Sequence, residues 1–278
     1  MIVDAHHHFW DPARGDYHWM SPDVPVLARP YGPDDMAPLL RRAGVDRTVL
    51  VQAAQTEAET DYLLELAART PFIAGVVGWL DFEDPAFEDK LMRLMARPKF
   101  VGLRPMLQDL ADDAYIVRPT VLANLRLLVA HDLAFDFLTF PRHLPQVRRV
   151  LAEVPGLRAV IDHVSKPPIA SGELAGWAAQ MAAVAEFPNV FCKLSGMVTE
   201  AKPDAWRPAD LAPVVRHVLA AFGPERVMFG SDWPVCLLAA SYAEVMNALR
   251  GIVGPLLDEA TTARVFGGNA IAFYKLEV

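Results

Sequence analysis

The strongest constraint on this chain is a rhythm. Eight short apolar runs alternate with stretches of helical period, and they span the sequence. The runs are Ile2–His8, Thr48–Gln52, Phe72–Val77, Phe100–Arg104, Leu133–Leu138, Leu157–His163, Val190–Leu194 and Arg226–Gly230. Helical stretches follow them at Asp34–Ala43 (with Gly44 just past its end), Glu57–Arg69, Ala86–Ala96, Val121–His131, Leu144–Glu153, Leu174–Glu186 and Ala209–Phe222. Two more, Tyr242–Arg250 and Thr261–Phe273, follow the eighth run. Strands that are apolar almost throughout belong to parallel sheets covered on both faces. Eight such units in 278 residues predict an α/β fold, a single (β/α)8 barrel, with residues 1–278 as one domain. An open doubly wound sheet is the alternative, but no glycine-rich dinucleotide fingerprint follows any strand.

Composition excludes several classes of function. A net charge of -8 and a pI near 5.5 argue against nucleic acid and anionic membranes as partners. No basic run with interleaved aromatics occurs. The two cysteines, Cys192 and Cys236, sit in apolar runs and form no CxxC pair. They read as buried free thiols in a reducing compartment. No secretory leader or 18-residue apolar span is evident, so the chain is expected to be soluble and cytoplasmic.

In a barrel of this kind the chemistry lies at the C-terminal ends of the strands. Those ends carry His6 and His8, then Gln52, Arg104, Asp162-His163 with Lys166 after them, Lys193 and Ser195, and finally Gly230-Ser231-Asp232-Trp233-Pro234. Singly, each has an ordinary structural explanation; together they converge on one mouth. Alternation places His6 and His8 on one face of the first strand and His7 on the other, toward the helices. An affinity tag would lack the apolar lead-in Ile2-Val3 and the aromatic follow-on Phe9-Trp10. Asp232 is the leading catalytic candidate. It directly follows an apolar strand and can take a proton from water or hold a metal that does so. A helix N-cap is the competing role. The long aperiodic segment 11–33 has the character of a binding loop, where Tyr17, His18 and Trp19 either line a pocket or pack the loop down.

Asp4-Ala5-His6-His7-His8-Phe9-Trp10, Gly102-Leu103-Arg104-Pro105, Asp162-His163, Lys193-Leu194-Ser195-Gly196 and Gly230-Ser231-Asp232-Trp233-Pro234 resemble motifs of the amidohydrolase superfamily. Within it they are similar to the branch of fuconolactonases, rhamnonolactonases and pyrone-dicarboxylate lactonase. The resemblance covers nearly the whole chain. It implies a TIM barrel, hydrolysis of a cyclic ester, and Asp232 as the base that activates water. His6, His8 and His163 enter the pocket by the same resemblance, as metal ligands or as orienting and oxyanion-stabilising donors. The chain departs from metal-dependent members in lacking another histidine or a carboxylated lysine from a mid-barrel strand. His143 lies beyond the fifth strand, at a helix start or pocket rim. No cofactor is therefore favoured. If one divalent metal such as zinc is bound, its ligands are His6, His8, His163 and Asp232.

The expected reaction is hydrolysis of an aldonolactone to the open-chain sugar acid. Arg104, Lys193 or a protonated His163 would stabilise the oxyanion, while Gln52, Gln108, Trp10 and Trp233 would hold the sugar. A dicarboxylate substrate would call for more arginines than Arg104 and Arg118. Two rivals are a metal-dependent decarboxylase on the same barrel and a barrel that binds sugar acids without turnover.

Overall fold

The computed structural model describes residues 1–278, and the eight apolar runs are its eight strands. They are β1 Val3–His7, β2 Arg47–Val51, β3 Ile73–Gly78, β4 Phe100–Leu103, β5 Ala134–Phe137, β6 Ala159–Ile161, β7 Val190–Leu194 and β8 Val227–Phe229. They pair in parallel, in chain order, from β1 to β8. The ring closes just beyond β8, where the His8 N–H donates to the Trp233 carbonyl and the Asp232 N–H to the His6 carbonyl, both at 2.8 Å. The (β/α)8 barrel expected from the rhythm is the fold.

Ten α-helices accompany the sheet: α1 Pro33–Ala43, α2 Glu57–Arg69, α3 Phe87–Met95, α4 Pro119–Ala130, α5 Leu144–Glu153, α6 Ala175–Ala185, α7 Pro208–Phe222, α8 Tyr242–Val253, α9 Glu259–Ala263 and α10 Asn269–Tyr274. Local chemistry sets their ends. Ser241 and Glu244 form a reciprocal capping box at the start of α8, and Gly44 ends α1 in the left-handed conformation at φ 69°. None of the helices is long and apolar enough to cross a membrane. Both cysteines are buried and unpaired.

Two buried clusters meet at the sheet. The larger lies between the strands and the outer helices. The smaller fills the barrel from its N-terminal end: Val3, Ala5, Val49, Ala74, Val160 and Met228 pack against Phe273, Tyr274 and Leu276. The segment leading into α10 approaches β1 so closely that a Cβ on Gly267 would lie 2.4 Å from the Met1 carbonyl oxygen. Asn269 secures this plug by donating to the Pro224 and Val227 carbonyls at 2.7 Å.

One irregularity decides which side chains reach the mouth. Asp4 pairs with Thr48 and His7 with Leu50, so three residues of β1 advance against two of β2. Strict alternation would place Val3, Ala5 and His7 on one face. The bulge resets the pattern. Val3 and Ala5 point into the barrel, as do His6 and His8 above them, while His7 turns outward onto Thr48 (2.9 Å) and the Phe9 ring.

Candidate active site

Above the apolar plug the barrel holds a buried layer of charge. Lys193 from β7 bonds Asp136 of β5 at 2.5 Å and pairs with Asp162, just past β6, at 2.9 Å. Arg104, just past β4, pairs with the second Asp162 oxygen at 3.2 Å and donates to the Gln52 carbonyl. Tyr274 of α10 reaches up to donate to Asp136 at 2.7 Å. Burial raises the Asp136 carboxyl to about 6 against the pull of Lys193. Burial also acts to raise Asp162, but Lys193 and Arg104 overcome it and hold that carboxyl below its ordinary value. Two carboxyls and two cations thus neutralise one another where no water can.

His6 stands on this layer. Its Nδ1 lies 3.1 Å from the Lys193 ammonium and 3.4 Å from Asp162. Burial, followed by the Lys193 charge, drives its pKa far down, so it is neutral. Its Nε2 faces the Nε2 of His8 at 3.2 Å. His8 donates from Nδ1 to the Val51 carbonyl at 2.8 Å, which turns its Nε2 toward His6 and Asp232. Asp232 completes the group. Its Oδ1 lies 3.4 Å from His8, 3.8 Å from His6 and 3.8 Å from His163, measured to each Nε2. Burial alone would raise the Asp232 carboxyl. His163, His8 and Lys166 more than offset this and hold it below its ordinary value, ionised at neutral pH.

His163 sits on an unusual turn. His163, Val164, Ser165 and Lys166 all have φ between 47° and 56°. A left-handed residue costs roughly 1–2 kcal/mol when it is not glycine, and β-branched Val164 is poorly suited to it. The surroundings impose the turn: Trp177 donates to the Val164 carbonyl at 2.7 Å, and Ser165 bonds Thr139 at 3.0 Å. Ser195 meets His163 Nδ1 at 2.9 Å. Gly196 is required beside it, because a Cβ there would stand 2.6 Å from the imidazole.

The mouth encloses a cavity of about 160 Å³. That is well below the roughly 300–1,000 Å³ of drug-sized sites and suits a ligand of monosaccharide size. Asp232, His8, His163 and Arg104 line it, with Trp10 and Gln108. The other expected residues lie elsewhere. His6 is behind the cavity, wholly buried. Lys193 is in the charged layer beneath. Gln52 gives its amide to the Arg104 carbonyl at 2.6 Å, and Trp233 packs on Phe9 and Tyr31. Arg118 is on the surface with Asp112 and Glu83, and His143 pairs with Asp113 at the rim. The expected positive charge on His163 is also absent, because burial lowers its pKa far below the ordinary value despite Asp232.

Some residues carried no assigned role in the sequence. Asp136 was hidden inside an apolar strand, where a lone carboxylate opposite a lone lysine is the only signal. Met106, Asp109, Leu138, Lys166 and Thr199 also line the cavity. Trp19 both packs and lines: its indole donates to the Ala53 carbonyl at 2.7 Å, and its ring faces the cavity. Tyr17 packs against Trp10 and Trp19, and His18 is exposed.

A family model described as amidohydrolase matches residues 3–276. The chain belongs to the amidohydrolase family. Among this amidohydrolase's relatives, an L-fucono-1,5-lactonase of Burkholderia ambifaria is 45% identical over 99% of this chain and 96% of its own. An L-fucono-1,5-lactonase of Burkholderia multivorans is 39% identical with the same coverage. A crystal structure of an amidohydrolase from Burkholderia multivorans, described with bound zinc, superposes with a TM-score of 0.95 at 39% identity over 100% of both chains.

The donor set suits a cation. His6, His8 and Asp232 offer ligand atoms within 4.8 Å of one another. Their separations of 3.2, 3.4 and 3.8 Å bracket the roughly 3.3 Å edge of a tetrahedron with zinc–ligand bonds near 2.0–2.1 Å. His8 also has a partner for its other nitrogen, the Val51 carbonyl, as metal-bound histidines do.

Proposed function

We propose that this amidohydrolase hydrolyses an aldono-1,5-lactone of the L-fuconate type to the open-chain sugar acid. The reading rests on one observation: an ionised carboxylate, Asp232, stands among three imidazoles at the wall of a small cavity. Whole-chain likeness to two L-fucono-1,5-lactonases supplies the substrate class. It favours ester hydrolysis over decarboxylation or binding without turnover.

Asp232 takes a proton from water, and the water oxygen attacks the lactone carbonyl carbon. The ring C–O bond then breaks, and Asp232 returns its proton to the departing ring oxygen. The depressed pKa makes Asp232 a weak base that is always ready; a lactone, an activated ester, needs no stronger one. Its three imidazole neighbours surround the carboxylate at 3.4–3.8 Å. His6, His8 and Asp232, with His163 beyond them, are the residues that would hold a divalent cation such as zinc. Such an ion, when bound, supplies Lewis acidity toward water or carbonyl. Gln108 has a buried amide oxygen with no partner in the protein, an acceptor for a sugar hydroxyl. Trp10 offers a flat apolar wall for the sugar ring.

A panel of aldonolactones in a pH-indicator assay, with and without a chelator, tests the proposal. Turnover of 1,5-lactones well above the spontaneous rate is expected. The absence of any turnover across the panel sinks it.

A further inference from the structure

Negative charge develops on the carbonyl oxygen during lactone attack, close to a carboxylate base. The cavity must therefore supply positive charge, and the cations at the strand ends are not equally free to do so. Arg104 lines the cavity but is 2% exposed, and both its terminal nitrogens are held, by Asp162 and the Gln52 carbonyl, leaving only Nε without a partner. Lys193 is wholly buried between Asp136 and Asp162 and does not reach the cavity. His6 stands behind the cavity, and His163 has one ring nitrogen on Ser195 and the other facing Asp232 at 3.8 Å. Lys166 remains.

Lys166 ends the left-handed turn that carries His163, so both side chains enter the same cavity. Its ammonium stands 5.1 Å from the centre of the Phe140 ring, a cation–π support that leaves its N–H donors free. It makes no ion pair and no side-chain hydrogen bond to the protein. Three carboxylates face it from other elements: Asp109 after β4, Glu200 after β7 and Asp232 after β8. Burial raises the Asp109 and Glu200 carboxyls against the pull of its charge. Lys166 is thus a cation with no ion-pair partner, in the same cavity as the proposed base.

We propose that Lys166 is a catalytic residue: its ammonium receives the lactone carbonyl oxygen as it becomes an oxyanion, then holds the carboxylate of the released sugar acid. The proposal rests on the lactonase reading. When the water oxygen bonds to the carbonyl carbon, the C=O π pair moves onto oxygen beside Lys166, while the water proton goes to Asp232. When the carbonyl re-forms and the ring C–O bond breaks, the ring oxygen takes that proton back. The acid product then releases its remaining proton to bulk water, and its carboxylate remains against Lys166. The ammonium donates hydrogen bonds throughout and loses no proton.

The test compares Lys166→Met, Lys166→Gln and Lys166→Arg with the wild type. It measures kcat and KM on a 1,5-lactone, competitive inhibition by the matching sugar acid, and the melting temperature of each variant. Loss of one oxyanion donor predicts a fall in kcat of roughly 10²–10³-fold for Lys166→Met and Lys166→Gln, with a much smaller change in KM. Inhibition by the sugar acid weakens at least ~10-fold in the same variants, and Lys166→Arg keeps most of it, since it keeps the charge. A structural role would lower the melting temperature and leave product inhibition intact. Near wild-type kcat and inhibition in a folded Lys166→Met overturns the proposal while lactone hydrolysis stands. A wild type that turns over no lactone removes both.

Discussion

The two ends of the barrel solve opposite problems with the same eight strands. At the N-terminal end, Val3, Ala5, Val49, Met228 and Phe273 exclude water by apolar packing, and any residue of similar shape would serve. At the C-terminal end the inward positions are Asp136, Asp162, Lys193, Arg104 and His6, each buried and each dependent on a particular partner. Apolar packing tolerates substitution of like size. A buried charge network is unforgiving, because removal of one member strands the others. The barrel is stable at one end so that it can be exacting at the other.

The largest effect that would sharpen this contrast is at the mouth. Asp232→Asn should lower kcat by roughly 10²–10⁴-fold, the usual worth of a general base, while the melting temperature barely moves. Full activity in that variant would remove Asp232 from its role. One layer down, Lys193→Met leaves Asp136 and Asp162 facing each other without their cation. A loss of roughly 3–5 kcal/mol in denaturant unfolding is expected. At the opposite end, Phe273→Ala should cost a similar ~3–5 kcal/mol through its cavity, with KM and kcat of the remaining folded enzyme unchanged. If kcat falls as well, the two ends are not independent.

A smaller, pH-dependent effect separates the mouth's supports from its chemistry. Glu59 at the start of α2 accepts the Ala53 and Ala54 N–H groups, and burial raises its carboxyl to about 8 against the pull of those bonds and of Arg104. Between its ordinary value of 4.5 and about 8, the folded protein keeps a proton that the unfolded chain has released. Stability therefore falls as pH rises through that window. Melting temperatures measured from pH 5 to 9 should show this slope in the wild type and a flatter one in Glu59→Gln. The smallest effect belongs to His7, which faces the helices. His7→Phe loses one hydrogen bond to Thr48, about 1 kcal/mol, and should leave kcat within about twofold.

Much of this was legible in the sequence, for identifiable reasons. Parallel strands buried on both faces read as continuous apolar runs, so Thr48–Gln52 and Val190–Leu194 announced β2 and β7. The polar residues at strand ends stood out against that background, and the distant His6, His8, His163 and Asp232 do meet. Depth was not legible. Alternation indicates that Lys193 points inward but not that it stops one layer short of the cavity. The β1 bulge has no glycine or proline to mark it; pairing with β2 creates it. Nor could the left-handed turn at 163–166 be foreseen, because Asp162-His163-Val164-Ser165-Lys166 has no residue that favours it. The environment imposes the turn through Trp177 and Thr139.

The seam between β1 and the residues after β8 has a consequence for how activity is acquired. The hydrogen bonds that close the ring run through His6, His8, Asp232 and Trp233, and the first three of these meet in the candidate active site. Contacts so distant along the chain pay the largest loop-closure cost and form late in folding. Enzymatic turnover therefore doubles as a reporter of ring closure. In a refolding experiment, helical signal should return first, and activity only when the two ends of the sheet have joined.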